Sequence, residues 1–300
     1  MPTFEFHTVD VFTGRRFGGN PLAVFPKAEG LDGAGMQSLA REFNLSETTF
    51  VFPPKDPSHT AQVRIFTPGA EVPFAGHPNV GTAYVLARLN PGLPGTLAFE
   101  EAAGLVQIEL RRGSDGSVSG AKVAAPQALN VGEEVSVEAT AACAGLAPRD
   151  FLRTLHPPVF AGVGMGFVIA QVANRAALAR ANNDPGAFRE AARRFPGIGK
   201  RFQLHLYVRD AVEPRRLATR MFAPLLGVPE DPATGSANAT LAALLTHLGS
   251  APAQAFEIEQ GAEMGRPSLI WATARRSEDG TVRATVAGDC VPVLTGQFEL

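Results

Sequence analysis

The chain has 300 residues, and its 45% of apolar residues are enough to fill the cores of two ordinary domains. Its 27 basic and 29 acidic residues leave a net charge of −2, which argues against a surface for nucleic acid or membranes. Only two cysteines occur, Cys143 and Cys290, without CxxC spacing, which argues against a disulfide scaffold, a zinc site and a secreted protein.

The first 125 residues predict a strand-rich unit with one long helix. Apolar residues from Met36 to Phe43 recur at helical spacing behind Asp32, which can cap that helix. A longer helix begins at Gly76 and ends before Asn90. Alternating, β-branched or aromatic residues predict strands at Thr3–Phe12, Leu22–Phe25, Phe50–Phe52, Gln62–Phe66, Thr96–Phe99, Leu105–Leu110 and Val118–Val123.

The second half repeats this composition after a polar, irregular stretch at Pro126–Glu134, where we place the linker. We expect units at residues 1–125 and 126–300, with a last strand that can cross back to the first unit. Helices are predicted at Val137–Ala144, from Pro185, and at Ser236–Leu248. The predicted strands are Val159–Val163, Phe167–Val172, Leu204–Val208, Leu217–Phe222, Phe256–Glu259, Ser268–Ala274, Val282–Val286 and Val291–Phe298.

Within each half the strands do not alternate with helices, which argues against a Rossmann sheet. The pattern favours an α+β fold in which each half wraps round its long helix. The N-terminus lacks the basic and apolar regions of a signal peptide, and no uncharged apolar run approaches the ~20 residues that span a bilayer. We therefore expect a soluble, cytoplasmic protein with no nucleic-acid or membrane partner.

The two halves carry the same series of residues in the same order. The first series is Arg64-Ile65-Phe66-Thr67-Pro68, Val72-Pro73 and Gly76-His77-Pro78-Asn79, and the second is Arg220-Met221-Phe222-Ala223-Pro224, Val228-Pro229 and Gly235-Ser236-Ala237-Asn238. The spacing differs only by three extra residues before the second glycine. Self-similarity over this distance predicts two related halves rather than a short-period solenoid. We expect each half to aim a helix N-terminus at one shared cleft.

The stretch from Glu230 to Ala239 is a turn of small residues that opens into an apolar helix. A helix that starts at Gly235-Ser236 presents backbone N–H groups and its positive dipole end, which together suit an anion. Asp231 adds an acid/base group there, and Ser236 adds a hydroxyl donor. Gly76-His77 is the corresponding helix start in the first half.

Glu47 lies among apolar neighbours, where the pKa of a carboxyl can rise until it serves as a general acid or base. The local sequence alone favours the other interpretation, a solvent-facing glutamate at a strand start. His77 is equally well explained as a helix-cap donor, and Gly18-Gly19-Asn20 as a plain turn rather than a close approach to a ligand. No cysteine nucleophile stands near a helix start, and no Asp/His cluster has metal-ligand spacing. The remaining set, Glu47, His77, Asp231 and Ser236, suits proton transfer on a small carboxylate-bearing substrate.

Six short motifs in this order closely resemble those of the phenazine-biosynthesis PhzF-like isomerase family. They are Gly19-Asn20-Pro21, Ser46-Glu47-Thr48, Phe66-Thr67-Pro68, Gly76-His77-Pro78, Glu230-Asp231-Pro232-Ala233-Thr234-Gly235-Ser236 and Gly265-Arg266-Pro267-Ser268. The resemblance implies the fold of diaminopimelate epimerase, with two pseudo-symmetric halves, each a curved antiparallel sheet or barrel around a central helix, and a site between them. It also implies isomerisation of a dihydro-hydroxyanthranilate or similar small carboxylate, without a cofactor or metal, by a homodimer.

The resemblance further implies roles for individual residues. The family's acid/base glutamate falls on Glu47, and the substrate-binding positions fall on His77, Asp231, Ser236, Gly76, Gly235 and Asn20. Related epimerases carry two cysteines where this chain has Ala75 and Thr234, so a two-thiol racemase mechanism is unavailable. Two alternatives to an isomerase stay open at this point. One is an epimerase or racemase that uses no thiol, and the other is a non-catalytic protein that binds a small molecule on the same scaffold.

Overall fold

The computed structural model describes residues 2–299, and the chain divides into two compact units. The first unit contains the chain up to Pro126 together with the segment that begins at Ala287. The second unit is Gln127–Val286. The second unit ends at Val286 because the last strand continues into the first unit.

The first unit is a mainly antiparallel sheet with two helices. Its strands are β1 (Thr3–Val11), β2 (Asn20–Phe25), β3 (Glu47–Phe52), β4 (Ala61–Phe66), β5 (Glu71–Val72), β6 (Thr96–Glu101), β7 (Gly104–Arg112) and β8 (Val118–Ala124). The pairs β1–β2, β3–β4, β6–β7 and β7–β8 are antiparallel, and the pairs β2–β3 and β4–β6 are parallel. The helices are α1 (Gly33–Phe43), capped by the Asp32 side chain as predicted, and α2 (Gly76–Leu89).

Helix α2 forms the centre of this unit. Its residues from Gly76 to Val85 are buried, and it packs against β1, β2 and β8. Gly81 permits the close approach, because a Cβ atom there would lie 2.6 Å from the Leu22 side chain and 2.8 Å from that of Val11. A second core beneath α1 contains the Phe25 and Phe50 rings, which stack at 4.9 Å.

The second unit has the same plan. Its strands are β9 (Asn130–Glu134), β10 (Phe151–Leu152), β11 (Val159–Gly162), β12 (Gly166–Val172), β13 (Leu204–Arg209), β14 (Arg216–Ala223), β15 (Val228–Asp231), β16 (Ala253–Gln260) and β17 (Ser268–Arg276). The helices are α3 (Val137–Ala144), α4 (Arg175–Arg180), α5 (Pro185–Arg194) and α6 (Gly235–Leu248). Pairs β12–β13 and β14–β16 are parallel, whereas β11–β12, β13–β14 and β16–β17 are antiparallel. The central helix is α6, which packs against β11, β12, β16 and β17.

The structure differs most from the sequence predictions at the linker and at the C-terminus. The linker was expected to be irregular up to Glu134, but its last five residues form β9, which pairs with β11. All five are exposed, so no apolar alternation marked them as a strand. The two strands expected at the C-terminus are one continuous strand, β18 (Val282–Glu299). Its residues from Cys290 onwards pair antiparallel with β1.

The order of parallel and antiparallel pairs along β2, β3, β4 and β6 recurs along β12, β13, β14 and β16. Each series has a 14-residue helix, α2 or α6, between its third and fourth strands. The predicted fold class, an α+β protein of two pseudo-symmetric halves around central helices, is therefore confirmed. Within residues 2–299, no helix combines the length and the apolar character needed to cross a membrane.

Candidate active site

The start of α2 brings Glu47 and His77 together within the first unit. Glu47 is the first residue of β3, and His77 is the second residue of α2. The Nε2 atom of His77 lies 3.3 Å from Oε2 of Glu47. The two side chains are only 6% and 19% exposed, respectively. The sequence predicted both residues for the site but gave no sign that they touch.

The burial of His77 decides the charge of this pair. Burial lowers the pKa of the imidazole from its usual 6.5 to about 3, because the cation would lose its hydration. The ring is therefore neutral near pH 7, so the contact joins a carboxyl group to a neutral imidazole. A neutral imidazole donates from one nitrogen and accepts at the other, so the ring can face either the ionised or the protonated form of the Glu47 carboxyl.

The turn before Asn20 is determined by backbone geometry. Gly19 has a φ angle of 63°, and a Cβ atom there would lie 2.2 Å from the Val11 carbonyl oxygen. Asn20 opens β2 opposite Val11 and is fully buried. These contacts account for Gly19 as a turn residue, as its sequence context also favoured.

The start of α6 holds the second group of predicted residues. Gly235 begins the helix, Ser236 is half-buried, and Asp231 is buried at the end of β15. The hydroxyl of Thr234 donates to Oδ2 of Asp231 at 2.5 Å. Thr234 therefore fixes the Asp231 carboxylate in one orientation.

The side chain of Gln260, a residue that no sequence pattern marked, stabilises this turn by hydrogen bonds. Its Nε2 atom donates to the Asp231 carbonyl at 2.8 Å and to Oγ1 of Thr234 at 3.0 Å. Its Oε1 atom accepts from Nδ2 of Asn238 at 2.7 Å and from the Thr234 amide at 3.2 Å. A polar residue at the end of a strand is usually a surface residue, so its sequence context carried little signal.

One hydrogen bond is repeated at both helix starts. Nδ2 of Asn79 donates to the Ala75 carbonyl at 3.1 Å, and Nδ2 of Asn238 donates to the Thr234 carbonyl at 3.0 Å. Ala75 and Thr234 are the N-cap residues, and neither side chain caps its helix. This explains the Gly-x-x-Asn repeat in the sequence, because each asparagine side chain hydrogen bonds to the residue before the glycine.

In the first unit, two of the predicted site residues, Glu47 and His77, are in contact. Gly76 precedes His77 at the start of α2, and Asn20 lies in β2. The predicted site residues of the second unit, Asp231, Gly235 and Ser236, gather at the start of α6. Within residues 2–299, no three His, Cys, Asp or Glu side chains cluster as metal ligands would.

Comparison with known proteins adds the class of this protein. The family described as phenazine biosynthesis-like protein (PhzC-PhzF) matches residues 9–296. An uncharacterized isomerase of Mesorhizobium japonicum is 38% identical over 304 residues, with 99% of each chain covered. The trans-2,3-dihydro-3-hydroxyanthranilate isomerase of Pseudomonas chlororaphis is 35% identical, with 97% of this chain and 98% of that protein covered.

A crystal structure of a PhzF-family phenazine biosynthesis protein from Bacillus anthracis has the same fold. Its TM-score is 0.88 at 24% sequence identity, and all of both chains is covered. Together these matches define an isomerase. The chain belongs to the PhzC-PhzF family of phenazine biosynthesis-like proteins, as the six motifs indicated.

Proposed function

We propose that this isomerase moves a proton between two carbons of a small, carboxylate-bearing cyclic metabolite, and that Glu47 carries the proton. The observation that supports this most strongly is the 3.3 Å contact between Glu47 and the buried, neutral His77 at the start of α2. A carboxyl group that is shielded from water beside an uncharged imidazole has the properties of a general acid–base catalyst.

In the proposed reaction, the Glu47 carboxylate accepts a proton from one substrate carbon. The electron pair of the broken C–H bond enters the conjugated system of the ring. The carboxyl group, now protonated, returns the proton to a second carbon, where a new C–H bond forms. No electron is gained or lost overall and the enzyme returns to its starting state, so the balance of this step requires no cofactor.

In this proposal the proton stays on Glu47 between the two steps, because a ring with a pKa of about 3 does not take it up, and His77 keeps the Glu47 carboxyl in place. Because the ring is neutral, it does so without fixing the carboxylate as an ion pair. The substrate-binding roles predicted for Gly76, Asn20, Asp231, Gly235 and Ser236 are retained. Helix starts at Gly76 and Gly235 suit the substrate carboxylate, since backbone N–H groups and the helix dipole favour an anion.

The first compound to test is trans-2,3-dihydro-3-hydroxyanthranilate, because the Pseudomonas chlororaphis relative is named for it. Its conversion is followed by ¹H NMR in H₂O and in D₂O. We expect a new isomer with a C–H bond at a different carbon, and deuterium there if the Glu47 proton exchanges with solvent. Deuterium at the original carbon without a new isomer would instead indicate an epimerase or racemase. Binding without any exchange or conversion would favour the non-catalytic alternative.

The proposal also retains a homodimer in the cytoplasm, which the family resemblance and the composition predict. Light scattering coupled to size-exclusion chromatography measures the mass in solution. A mass near 31.6 kDa, that of one chain, would contradict the dimer.

A further inference from the structure

A second carboxyl group lies close to the start of α2 and has no part in the proposed reaction. Glu101 ends β6, and both of its carboxyl oxygens are shielded from solvent. Burial raises its pKa from 4.5 to about 8, and only the interaction with the Asn79 side chain acts in the opposite direction. Lys55, Asp56 and the ion pair of His59 with Glu100 border the same shallow surface depression, but none of them perturbs the pKa of Glu101.

Strand register shows which residue of the second unit corresponds to Glu101. In the parallel pair β4–β6, Gln62 stands opposite Glu100. In the parallel pair β14–β16, Ala218 stands opposite Glu259. Gln62 and Ala218 each lie two residues before the arginine of the repeated Arg-x-Phe series. Glu101 therefore occupies the position of Gln260.

Gln260 binds Asn238 and the turn before α6, and Glu101 lies beside Asn79, which is the counterpart of Asn238. A protonated carboxyl has one O–H donor and one carbonyl acceptor, so it resembles a carboxamide in shape and in hydrogen-bonding capacity. An ionised carboxylate has no donor. An ionised Glu101 could still accept from Asn79, as Gln260 accepts from Asn238, but only its acid form can also donate, as the amide of Gln260 does.

We propose that Glu101 is a positioning residue that acts as a neutral acid: it holds Asn79, and through Asn79 the first turn of α2 with Gly76 and His77. It corresponds to Gln260 and does not exchange a proton with the substrate. Its effect on turnover rests on the function proposed above, whereas its effect on stability does not.

The test compares wild type with Glu101→Gln, which supplies the amide found in the other unit, and Glu101→Leu, which removes the polar group. Thermal unfolding is measured between about pH 6 and pH 9 and requires no substrate. The wild-type carboxyl keeps its proton when folded but loses it when unfolded. Unfolding therefore releases a proton, and wild-type stability falls as the pH rises towards about 8.

Glu101→Gln has no such proton, so its Tm should rise relative to wild type as the pH increases. With trans-2,3-dihydro-3-hydroxyanthranilate as substrate, Glu101→Gln should keep kcat within about threefold, and Glu101→Leu should lower it by about tenfold. If the wild type does not convert this compound, it is not the substrate of the proposed reaction, and the Tm series still decides the role of Glu101.

Three results would overturn the inference. The first is a Tm difference between wild type and Glu101→Gln that does not change with pH. The second is a loss of kcat of about 100-fold or more in Glu101→Gln, since it would make the carboxyl an acid/base catalyst. The third is a Glu101→Leu variant whose Tm and kcat equal those of the Glu101→Gln variant. Should Glu101→Leu fail to fold, the first two measurements remain decisive.

Discussion

The two units have the same backbone plan but differ in which groups at their helix starts can ionise. Strand register equates Glu47 with Gln203, because Thr48 pairs with Phe66 and Leu204 pairs with Phe222 in the repeated series. Strand register likewise equates Glu101 with Gln260. At two equivalent positions, then, the first unit has a carboxyl group where the second has a carboxamide of the same shape.

This difference decides which of the two units has titratable groups at these positions. Carboxamides do not titrate near neutral pH, so the hydrogen bonds that Gln260 makes at the start of α6 persist across that range. Carboxyl groups can take up or release a proton, and burial decides when they do so. A duplicated fold can thus keep the geometry of both halves while only one half carries titratable groups at these positions.

The repeated arginines differ as well, through burial. Arg220 is 8% exposed, forms a bidentate pair with Glu230, and donates to the carbonyls of Leu178, Ala179 and Ala181. Arg64 forms the corresponding pair with Glu71 but is 31% exposed. The same sequence motif therefore forms a buried ion pair in the second unit and a more exposed ion pair in the first.

The largest expected effect is a loss of stability when these two arginines are replaced. Arg220→Met leaves the Glu230 carboxylate and three carbonyls without their buried donor, so it should lower the free energy of unfolding by ~3–5 kcal/mol. Arg64→Met, the matched control, should cost less than ~1 kcal/mol because water replaces the lost donor. Urea unfolding followed by circular dichroism measures both. Equal losses would show that burial does not distinguish the two pairs.

The next effect is on turnover. Glu47→Gln gives the first unit the carboxamide that the second unit has at Gln203, and it should lower kcat by ~10²-fold or more with little change in KM. Glu42→Gln, on the exposed face of α1, is the control and should match wild type. Steady-state rates on the converted substrate decide the outcome. If Glu47→Gln turns over normally, Glu47 is structural and Asp231 becomes the leading candidate for the acid/base group.

Acid sensitivity should reveal two buried histidines, His77 in the first unit and His205 in the second. Burial lowers the pKa of both His77 and His205 to about 3, so folded rings stay neutral where unfolded rings gain a proton. Unfolding therefore takes up protons below about pH 6.5, and stability falls as the pH decreases towards about 3. Each histidine should contribute on the order of 1 kcal/mol per pH unit within that range.

His77→Asn and His205→Asn separate the two contributions. Each should reduce the pH dependence of unfolding by about one proton. His205→Asn should also destabilise the protein at pH 7, because His205 hydrogen bonds to Asn238. The readout is the midpoint of urea unfolding from about pH 4 to pH 7. NMR signals of either ring that titrate near pH 6.5 in the folded protein would contradict the expectation.

The smallest expected effect is at Ser236, the counterpart of His77 in the repeat. Ser236→Ala removes one half-buried hydroxyl and should weaken substrate binding by about 1 kcal/mol, or about fivefold in KM, with kcat nearly unchanged. The control is Ser250→Ala, which removes the hydroxyl of an exposed serine. Ala237→Ser would not serve, because Ala237 is fully buried. A fall in kcat rather than a rise in KM would place Ser236 in the reaction instead of in binding.

The sequence alone determined the elements whose causes are local. Helix α3 was predicted at its observed limits, Val137–Ala144, because its caps and apolar spacing lie within a few residues of each other. The repeated Arg-x-Phe and Gly-x-x-Asn series predicted two similar halves, because a duplicated sequence repeats its local preferences. The six motifs identified the family and thereby drew attention to Glu47 and His77.

Only the tertiary structure decided the contacts between residues that are distant in the chain. Glu47 and His77 meet because β3 and the start of α2 come together, and no local pattern encodes that approach. Gln260 lies 26 residues beyond Thr234 yet binds its amide, and β9 exists as a strand only through its pairing with β11. Local preference acts through neighbouring side chains, whereas strand register and burial depend on the whole unit. Register and burial therefore set which carboxyl groups are held away from water, and with them the proton chemistry proposed for this protein.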